Sequence, residues 1–562
     1  MTADAEHGGG SRAARPRSHW GWGYADRSPD RATLEAIAPE LRRRLGFGGD
    51  RIEEPVPLEA IDVAPSRLRP PESLAPILSD APADRIRHSM GRAYRDVVRG
   101  FRGRFERTPD LVAYPGDEDE VRRVLELCAE RRLAAIPFGG GTSVVGGVEA
   151  RVGRGYRGTV SIDLGGLSGI AEIDEVSGSA LIRAGTLGPD LEDGLRPHGL
   201  TLRHFPQSFE FSTLGGWIAT RAGGHFATVQ THIDDLVDSI RALTPSGPWE
   251  SRRLPGSGAG PSPDRMMLGS EGILGVITEA WVQVRPRPTF KASRPVFFPS
   301  LAAGAEAVRA IAQSGLNPAN CRLLDPLEAE TTGAGDGSAA VLILGFESAF
   351  APVDDLLRLA VECAADHGGT PEPEREPAGS GGEAGEDSAA RTWRSAFLDA
   401  PYLRDSLVAL GVISETFETA ITWDRFGEFH SRVGEAARRA VAEVTDAPAE
   451  GEGAPRVMCR FTHVYPTGPA PYYTILAKAR RGSEVAQWDE IKAAVSEAIV
   501  SAGGTITHHH AVGRDHRPWY DLQRPDRFAD ALAGAKRAVD PEGILNPGVL
   551  IDPEPGPAPR DM

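Results

Sequence analysis

The 562-residue chain has only four cysteines, Cys128, Cys321, Cys363 and Cys459, and no two of them form a Cys-x-x-Cys pair. That excludes a disulfide framework and a cysteine zinc site, and it fits reduced thiols inside the cell. The chain also lacks any apolar run near the roughly 18 residues that suggest a membrane-spanning helix. Its opening, MTADAEHGGGSRAARPRS, lacks the apolar centre of a secretory signal. A cytoplasmic protein is expected, with peripheral membrane contact left open. Positive charge is in deficit. The 62 basic and 79 acidic residues give a formal net charge of −17, which argues against nucleic acid as a partner. Aromatic residues make up only 7%, so the cluster HWGWGYADR (His19–Arg27) stands out as one that needs a surface to pack on.

What is present is a soluble globular composition, 40% hydrophobic and 25% charged, in a chain long enough for two or three domains. Its organising stretch is PFGGGTSVVGG, Pro137–Gly147. Glycine has no Cβ and accepts positive φ, so such a loop can bring successive main-chain N–H groups against an anion. Thr142 and Ser143 can add hydroxyl donors, and a pyrophosphate is the natural ligand. The loop has neither the Gly-Lys-Ser/Thr ending of a P-loop nor the GxGxxG spacing of a dinucleotide turn. Before it, LVAYP reads as a strand, DEDEVRRVLELCAERRL as a helix with acids in its first turn, and LAAIPF as a second strand. GPDLEDGLRPHGL reads as a helix stopped at His198–Gly199. HFPQSFEFSTLGGWIATRAGGH is a loop leading into Gly215 and Gly216. A second glycine cluster and an alternating strand follow in Met266–Pro288.

From residue 290 strands and helices alternate: PVFFP, LAAGAEAVRAIAQSG, CRLLDP, AAVLILGFE, PVDDLLRLAVECAADHGG. This is the pattern of an α+β domain. The acidic, low-complexity stretch at 371–390 reads as a flexible surface loop. The resulting division is a disordered N-terminus (1–18), a helical segment (19–100), a first domain (101–288), a second domain (289–510) and a C-terminal segment (511–562) returning to the first.

GGGTSV, EFSTLGGW, GSEGILGVITEA and DPEGILNPG, in that order, resemble the FAD-binding oxidases of the vanillyl-alcohol oxidase/p-cresol methylhydroxylase type. WGWGY, RFERTPDLV, CRLLDP, ETFETAITWDR and HHHAVGR narrow the resemblance to the alkyldihydroxyacetonephosphate synthases, and together the motifs span about residues 19 to 550. The resemblance implies an α+β fold. A two-subdomain FAD-binding domain would be joined to an α+β substrate (cap) domain built on an antiparallel sheet. It implies FAD, held non-covalently because no histidine lies in the glycine loop. The contacts implied are Pro137, Gly139, Gly140, Gly141, Thr142 and Ser143 on the pyrophosphate, and Gln207, Ser208, Ser212, Thr213, Gly215 and Gly216 on the flavin. Asp234, Asp235 and Leu236 would add to these, with Glu271, Gly272, Gly275, Val276 and Ile277.

The same resemblance makes Tyr472 the catalytic tyrosine, a proton shuttle whose neighbour Tyr473 would face the other way in a strand. A phenol titrates near about 10 and nearby cations lower it. His508, His509 and His510 would sit at the flavin, His509 facing opposite to the other two if the segment is a strand. Arg322 and Arg514 would grip a substrate phosphate through paired guanidinium donors. No metal is expected, because THVYPTGPAP stands where metal-using relatives carry a His-x-Gly-Asp-Gly-Asn-type segment. The reaction implied is exchange of the acyl group of acyl-dihydroxyacetone phosphate for a fatty alcohol through a flavin N5 adduct, without net oxidation. Two long chains call for an apolar tunnel, and a homodimer is implied.

Two departures bear on the substrate. Gln207 replaces an acid, and HFATVQTH after TRAGG replaces a lysine- and asparagine-bearing loop. His225 or His232 could compensate, or the loop could serve another substrate. The alternatives are therefore an FAD oxidase or dehydrogenase of a 2-hydroxy acid or alcohol, and a non-catalytic flavin-binding protein. Retention of Tyr472, the histidines and Arg322 argues against the latter.

Overall fold

The structure, a computed structural model, describes residues 16–49, 51–153, 155–373 and 402–552. The acidic loop expected at 371–390 lies outside the described residues from 374 onward, as do residues 1–15 of the expected disordered start. Residues 16–18 are in place, which shortens that expectation. Ala25 N donates to Pro16 O and Ser18 N to Gly23 O, both at 2.9 Å, closing a small hairpin. The hairpin buries the aromatic cluster: Trp20 meets Phe101 edge-on at 5.1 Å and Tyr24 meets Phe211 at 5.6 Å. Gly21 is required by close approach, since a Cβ there would lie 2.3 Å from the Asp405 carboxylate.

The helix Glu118–Arg131 forms because Asp117 accepts from Glu120 N at its start, acids fill its first turn, and Val121, Val124, Leu125 and Cys128 make one buried face. That face packs on a four-stranded sheet ordered Leu78–Ser79, Leu111–Ala113, Gly158–Asp163, Leu133–Phe138. Its last three strands are parallel. The strand Leu133–Phe138 therefore delivers the glycine loop at its C-terminal end. Alongside it, Ala135 N donates to Ile544 O and Asn546 N to Ala135 O, so GILNPG near the C-terminus lines the same strand.

A five-stranded antiparallel sheet follows, ordered Ile170–Asp174, Ser179–Arg183, Val276–Gln283, Val237–Thr244, Gly247–Glu250. The helix expected over GPDLEDGLRPHGL forms and ends at Gly199 with φ 68°. The strand–helix alternation from 290 builds a seven-stranded antiparallel sheet. Its order is Thr370–Pro371, Phe290–Phe298, Ala340–Ser348, Asn320–Leu324, Arg456–Tyr465, Gly468–Lys478, Val412–Glu418. Helices Leu301–Gln313, Asp354–Asp366, Trp423–Thr445 and Glu484–Ser501 contribute to one large core against it. Among the described residues no helix is long and apolar enough to cross a membrane.

Candidate active site

The glycine loop is folded too tightly for a side chain at Gly139 or Gly140. A Cβ on Gly140 would sit 1.7 Å from Phe211 O, and one on Gly139 2.4 Å from Thr213 Oγ1. Gly141 and Gly146 have φ of 66° and 69°, the region that favours glycine. Ser143 Oγ accepts from Gly147 N at 2.9 Å and Arg92 N donates to Ser143 O at 2.6 Å, fixing the turn from within. Opposite it, Ser212 Oγ accepts from Trp217 Nε1 at 2.7 Å, and Thr213 caps the helix Leu214–Thr220.

Strand register supplies the second wall. Tyr472 pairs with Arg460 on one side and Glu418 on the other, so the three side chains share one face of the seven-stranded sheet. The Arg460 guanidinium lies 4.0 Å from the centre of the Tyr472 ring and is ion-paired with buried Glu328. Tyr473 faces the other way, into the core beside His430, as the alternation of a strand requires. A register shift between Phe461 and His463 turns both Thr462 and His463 toward the cavity.

The histidines do not form the expected strand. His508, His509 and His510 wrap around the buried carboxylate of Glu418, which accepts all three main-chain N–H groups and the Thr507 hydroxyl. The wrap sends His509 and His510 to the cavity beside Tyr472 and His508 to the opposite side. Burial opposes ionisation of Glu418, but the histidines, Thr507 and the N–H donors override it and hold its pKa down at about 2. Glu418→Gln is therefore expected to cost about 3 kcal/mol of stability. Because the folded pKa lies below the ordinary ~4.3, this stabilisation is complete above that range and is lost as pH falls toward 2. Thermal melts across acid pH check both: the wild type loses stability over that window and the variant shows a flatter profile.

Together these walls enclose a cavity of about 200 Å³. Gln207, Arg404, Thr416, Arg460 and Tyr472 line both it and a larger one of about 960 Å³. Of the residues singled out in the sequence, Gly139, Gly140, Gly141, Thr142, Ser143, Gln207, Ser208, Ser212, Thr213, Gly216, Arg322, Tyr472, His509 and His510 line the first cavity. The remainder do not, for identifiable reasons. Pro137 packs beneath Gly272, Gly215 presses on Ala184, and Gly275 packs against Ala242–Thr244. Leu236, Val276 and Ile277 are buried in apolar cores. Asp234 is paired with Arg221 and Arg265 and, with Asp235 and Glu271, faces a separate cleft. Glu271 accepts from Val512 N and Gly513 N at 2.9 and 2.8 Å, and burial pushes its pKa up to about 7.

Arg514 is held by other partners. Its guanidinium donates to the carbonyls of Gly146, Gly147, Arg151 and Pro547 and to Asn546 Oδ1. It fastens the glycine loop to the C-terminal segment and does not face the cavity. Arg322 does face it, almost fully buried, donating to His225 O at 3.1 Å. Burial and then neighbouring Arg460 lower its pKa to about 9. Two buried guanidiniums with Glu328 as the nearby carboxylate make that end of the cavity favour an anion. His225 contributes its carbonyl, and His232 lies on the far side of the histidine turn.

Sequence reasoning missed Trp22, Arg404, Arg460, Thr462 and His463 as lining residues and Glu418 as their anchor. The alternation Arg460-Phe461-Thr462 carried a signal, polar residues on either side of a core phenylalanine. The ring nitrogens of His463, His508 and His509 lie within 4.8 Å of one another, although no metal was expected.

The lining of the smaller cavity suits part of a flavin dinucleotide. Gly139 and Gly140 leave no room for a Cβ, Thr142 and Ser143 present hydroxyl-bearing side chains, and Trp22 Nε1, on a wall of the cavity, is buried with no partner among the described residues. Comparison with known families agrees: residues 109–251 match the "FAD binding domain" family and residues 287–550 match "FAD linked oxidases, C-terminal domain". The chain is thus a flavoenzyme of the FAD-linked oxidase class, with FAD as its cofactor.

The chain is 30% identical to the alkyldihydroxyacetonephosphate synthase of Dictyostelium discoideum, over 84% of this chain and 78% of the relative. It is 28% identical to that of Caenorhabditis elegans, over 95% and 94%. A solved alkyldihydroxyacetonephosphate synthase superposes with a TM-score of 0.75 at 25% identity, covering 94% of this chain and 98% of that one. The chain belongs to the alkyldihydroxyacetonephosphate synthase family. Oxidases are also similar, among them the glycolate oxidase subunit GlcD of Bacillus subtilis, 26% identical over 80% of this chain and 90% of the relative. The p-cresol methylhydroxylase structure shares the fold, with a TM-score of 0.64, 14% identity, and coverage of 93% of this chain and 98% of that one.

Proposed function

We propose that this chain exchanges the acyl group of an acyl-dihydroxyacetone phosphate for a fatty alcohol, giving the alkyl ether and a free fatty acid. The observation that carries this reading is the composition of the two adjoining cavities. At Tyr472 the walls are cationic and fit a phosphate. Beyond it, the 960 Å³ cavity has an apolar stretch of Ile37, Leu41, Leu407, Leu410, Met458 and Leu476, which suits a hydrocarbon chain, beside charged residues such as Arg43, Arg44 and Arg456.

In this reading Arg322 and Arg460 hold the phosphate. Tyr472 stands at the junction, where it moves the C1 proton off the substrate and later back. The C1–O bond to the acyl group breaks and a C1–O bond to the alcohol forms. FAD, when bound, supplies the electrophilic ring for an exchange with no net oxidation. The protein's contribution is placement of the two chains and of the proton.

The test is conversion of palmitoyl-dihydroxyacetone phosphate and hexadecanol by the FAD-bound protein. Ether product with the flavin still oxidised supports the reading. Absence of ether, with flavin bleaching by a 2-hydroxy acid, supports the oxidase alternative. Two further results are expected. Arg322→Met lowers kcat/KM for the phosphate-bearing substrate about 100-fold, equivalent to about 3 kcal/mol for a lost charge-assisted contact. The same variant leaves an analogue without the phosphate changed by less than about threefold. Met458→Trp narrows the apolar cavity and shifts the preferred chain to a shorter one, read by competing alcohols of graded length in one reaction.

A further inference from the structure

On the far side of the histidine turn lies a second cleft of about 1200 Å³, lined in part by Thr231, His232, Tyr465 and His508. A chain of hydrogen bonds joins it to the flavin cavity, and one fixed acceptor sets the chain's direction. The Arg221 carbonyl is 3.1 Å from His232 Nδ1. A carbonyl only accepts, so that nitrogen carries the proton and Nε2 of a neutral His232 has a bare lone pair. For the 3.2 Å contact with His508 Nε2 to be a hydrogen bond, that nitrogen is the donor, its proton shared with the Tyr465 oxygen, which leaves His508 Nδ1 bare. His509 Nδ1, 3.1 Å from it, must donate in turn, and the Glu418 carboxylate 3.4 Å from the same nitrogen favours that tautomer. His509 Nε2 is left as a bare lone pair on a ring that lines the flavin cavity. At the other end, the Tyr465 hydroxyl lies 2.8 Å from His508 Nε2 and 3.1 Å from Thr231 Oγ1. It can accept from the one and donate onward. Burial, followed by neighbouring histidines, keeps His508 and His509 well below their ordinary pKa, so both rings are neutral at pH 7.

We propose that His509, His508 and Tyr465 form a proton relay from the flavin cavity to the outer cleft, with His232 locking the tautomers that give the relay its direction. The inference rests on the proposed exchange reaction, in which a proton leaves C1 and a proton returns. Outbound, the Tyr472 oxygen takes the C1 proton as its hydroxyl proton passes to His509 Nε2, and His509 Nδ1 gives its own to His508 Nδ1. His508 Nε2 gives its proton to the Tyr465 oxygen, and the Tyr465 hydroxyl proton passes to water in the cleft. One proton crosses to water and no group of the relay is left charged. The reverse sequence returns a proton and restores the tautomers. His508, Tyr465 and His232 are positioning residues that act through His509. The same arrangement gives the unusual HFATVQTH segment a task, since it supplies His232.

The test follows exchange of the C1 hydrogen of palmitoyl-dihydroxyacetone phosphate with solvent deuterium, by mass. Wild type, Tyr465→Phe and His232→Asn are compared in their FAD-bound forms. The relay predicts that Tyr465→Phe slows exchange at least tenfold and enlarges the solvent isotope effect on turnover, with KM within about twofold of wild type. His232→Asn gives a smaller loss. Exchange at the wild-type rate in both variants overturns the relay. If wild type itself shows no exchange, the substrate reading fails, and ¹⁵N spectra of histidine-labelled protein decide the relay separately. Nδ1–H tautomers at His232 and His509 with Nε2–H at His508 uphold it. The opposite tautomers, or a stoichiometric metal ion coordinated by His508, overturn it.

Discussion

Replacing Tyr472 with phenylalanine is expected to abolish ether formation, lowering turnover by about 10³-fold or more, while the purified protein stays yellow. The hydroxyl oxygen is the only atom lost. The ring keeps its place because Arg460 lies 4.0 Å from its centre and the ring of His509 stacks parallel to it 6.0 Å away. A positioned proton-transfer group contributes about 10² to 10⁴ in rate, so the loss belongs at the upper end if no other group takes over the task. His509 and His510 are the nearest candidates, and rescue by them would show as residual activity of a few per cent. Flavin content and melting temperature, measured on the same sample, separate loss of chemistry from loss of fold.

The second large effect is at Gly140. Gly140→Ala is expected to yield protein without FAD. Its new methyl would stand 1.7 Å from the carbonyl oxygen of Phe211, a backbone atom that cannot rotate away. Relief requires the glycine loop to part from the Phe211–Thr213 segment, and both line the cavity. The check is the ratio of absorbance in the flavin band to that at 280 nm after desalting. A near-zero ratio with a cooperative melt is the expected result. Gly153, where a Cβ meets nothing within 4 Å, is the control: Gly153→Ala should retain the full complement of flavin.

What the sequence made legible follows from local chemistry. The glycine loop announces itself because only glycine tolerates its φ values and contacts. The helix Glu118–Arg131 is written in its cap, its first-turn acids and its apolar spacing. The opposed directions of Tyr472 and Tyr473 follow from strand alternation alone. The parts that escaped depend on partners remote in the chain. His508–His510 carries nothing that foretells a wrap around Glu418, some 90 residues earlier, and three main-chain donors aimed at one carboxylate break the strand that its neighbours suggest. Arg460 reaches Tyr472 through sheet register, which no single segment contains. Arg514 illustrates the converse. Its motif context suggested a phosphate ligand, but its five donor contacts are all taken by main-chain carbonyls and an asparagine that hold the glycine loop in place.

The most direct test of the central claim uses hexadecanol carrying ¹⁸O in its hydroxyl, palmitoyl-dihydroxyacetone phosphate, and the FAD-bound protein, with lipid products resolved by mass and the flavin band followed in the same cuvette. Exchange at C1 predicts an ether two mass units heavier than its unlabelled counterpart, unlabelled palmitate in equal amount, and an oxidised flavin spectrum at the end. An ether without the label, or no ether with a bleached flavin, would contradict it.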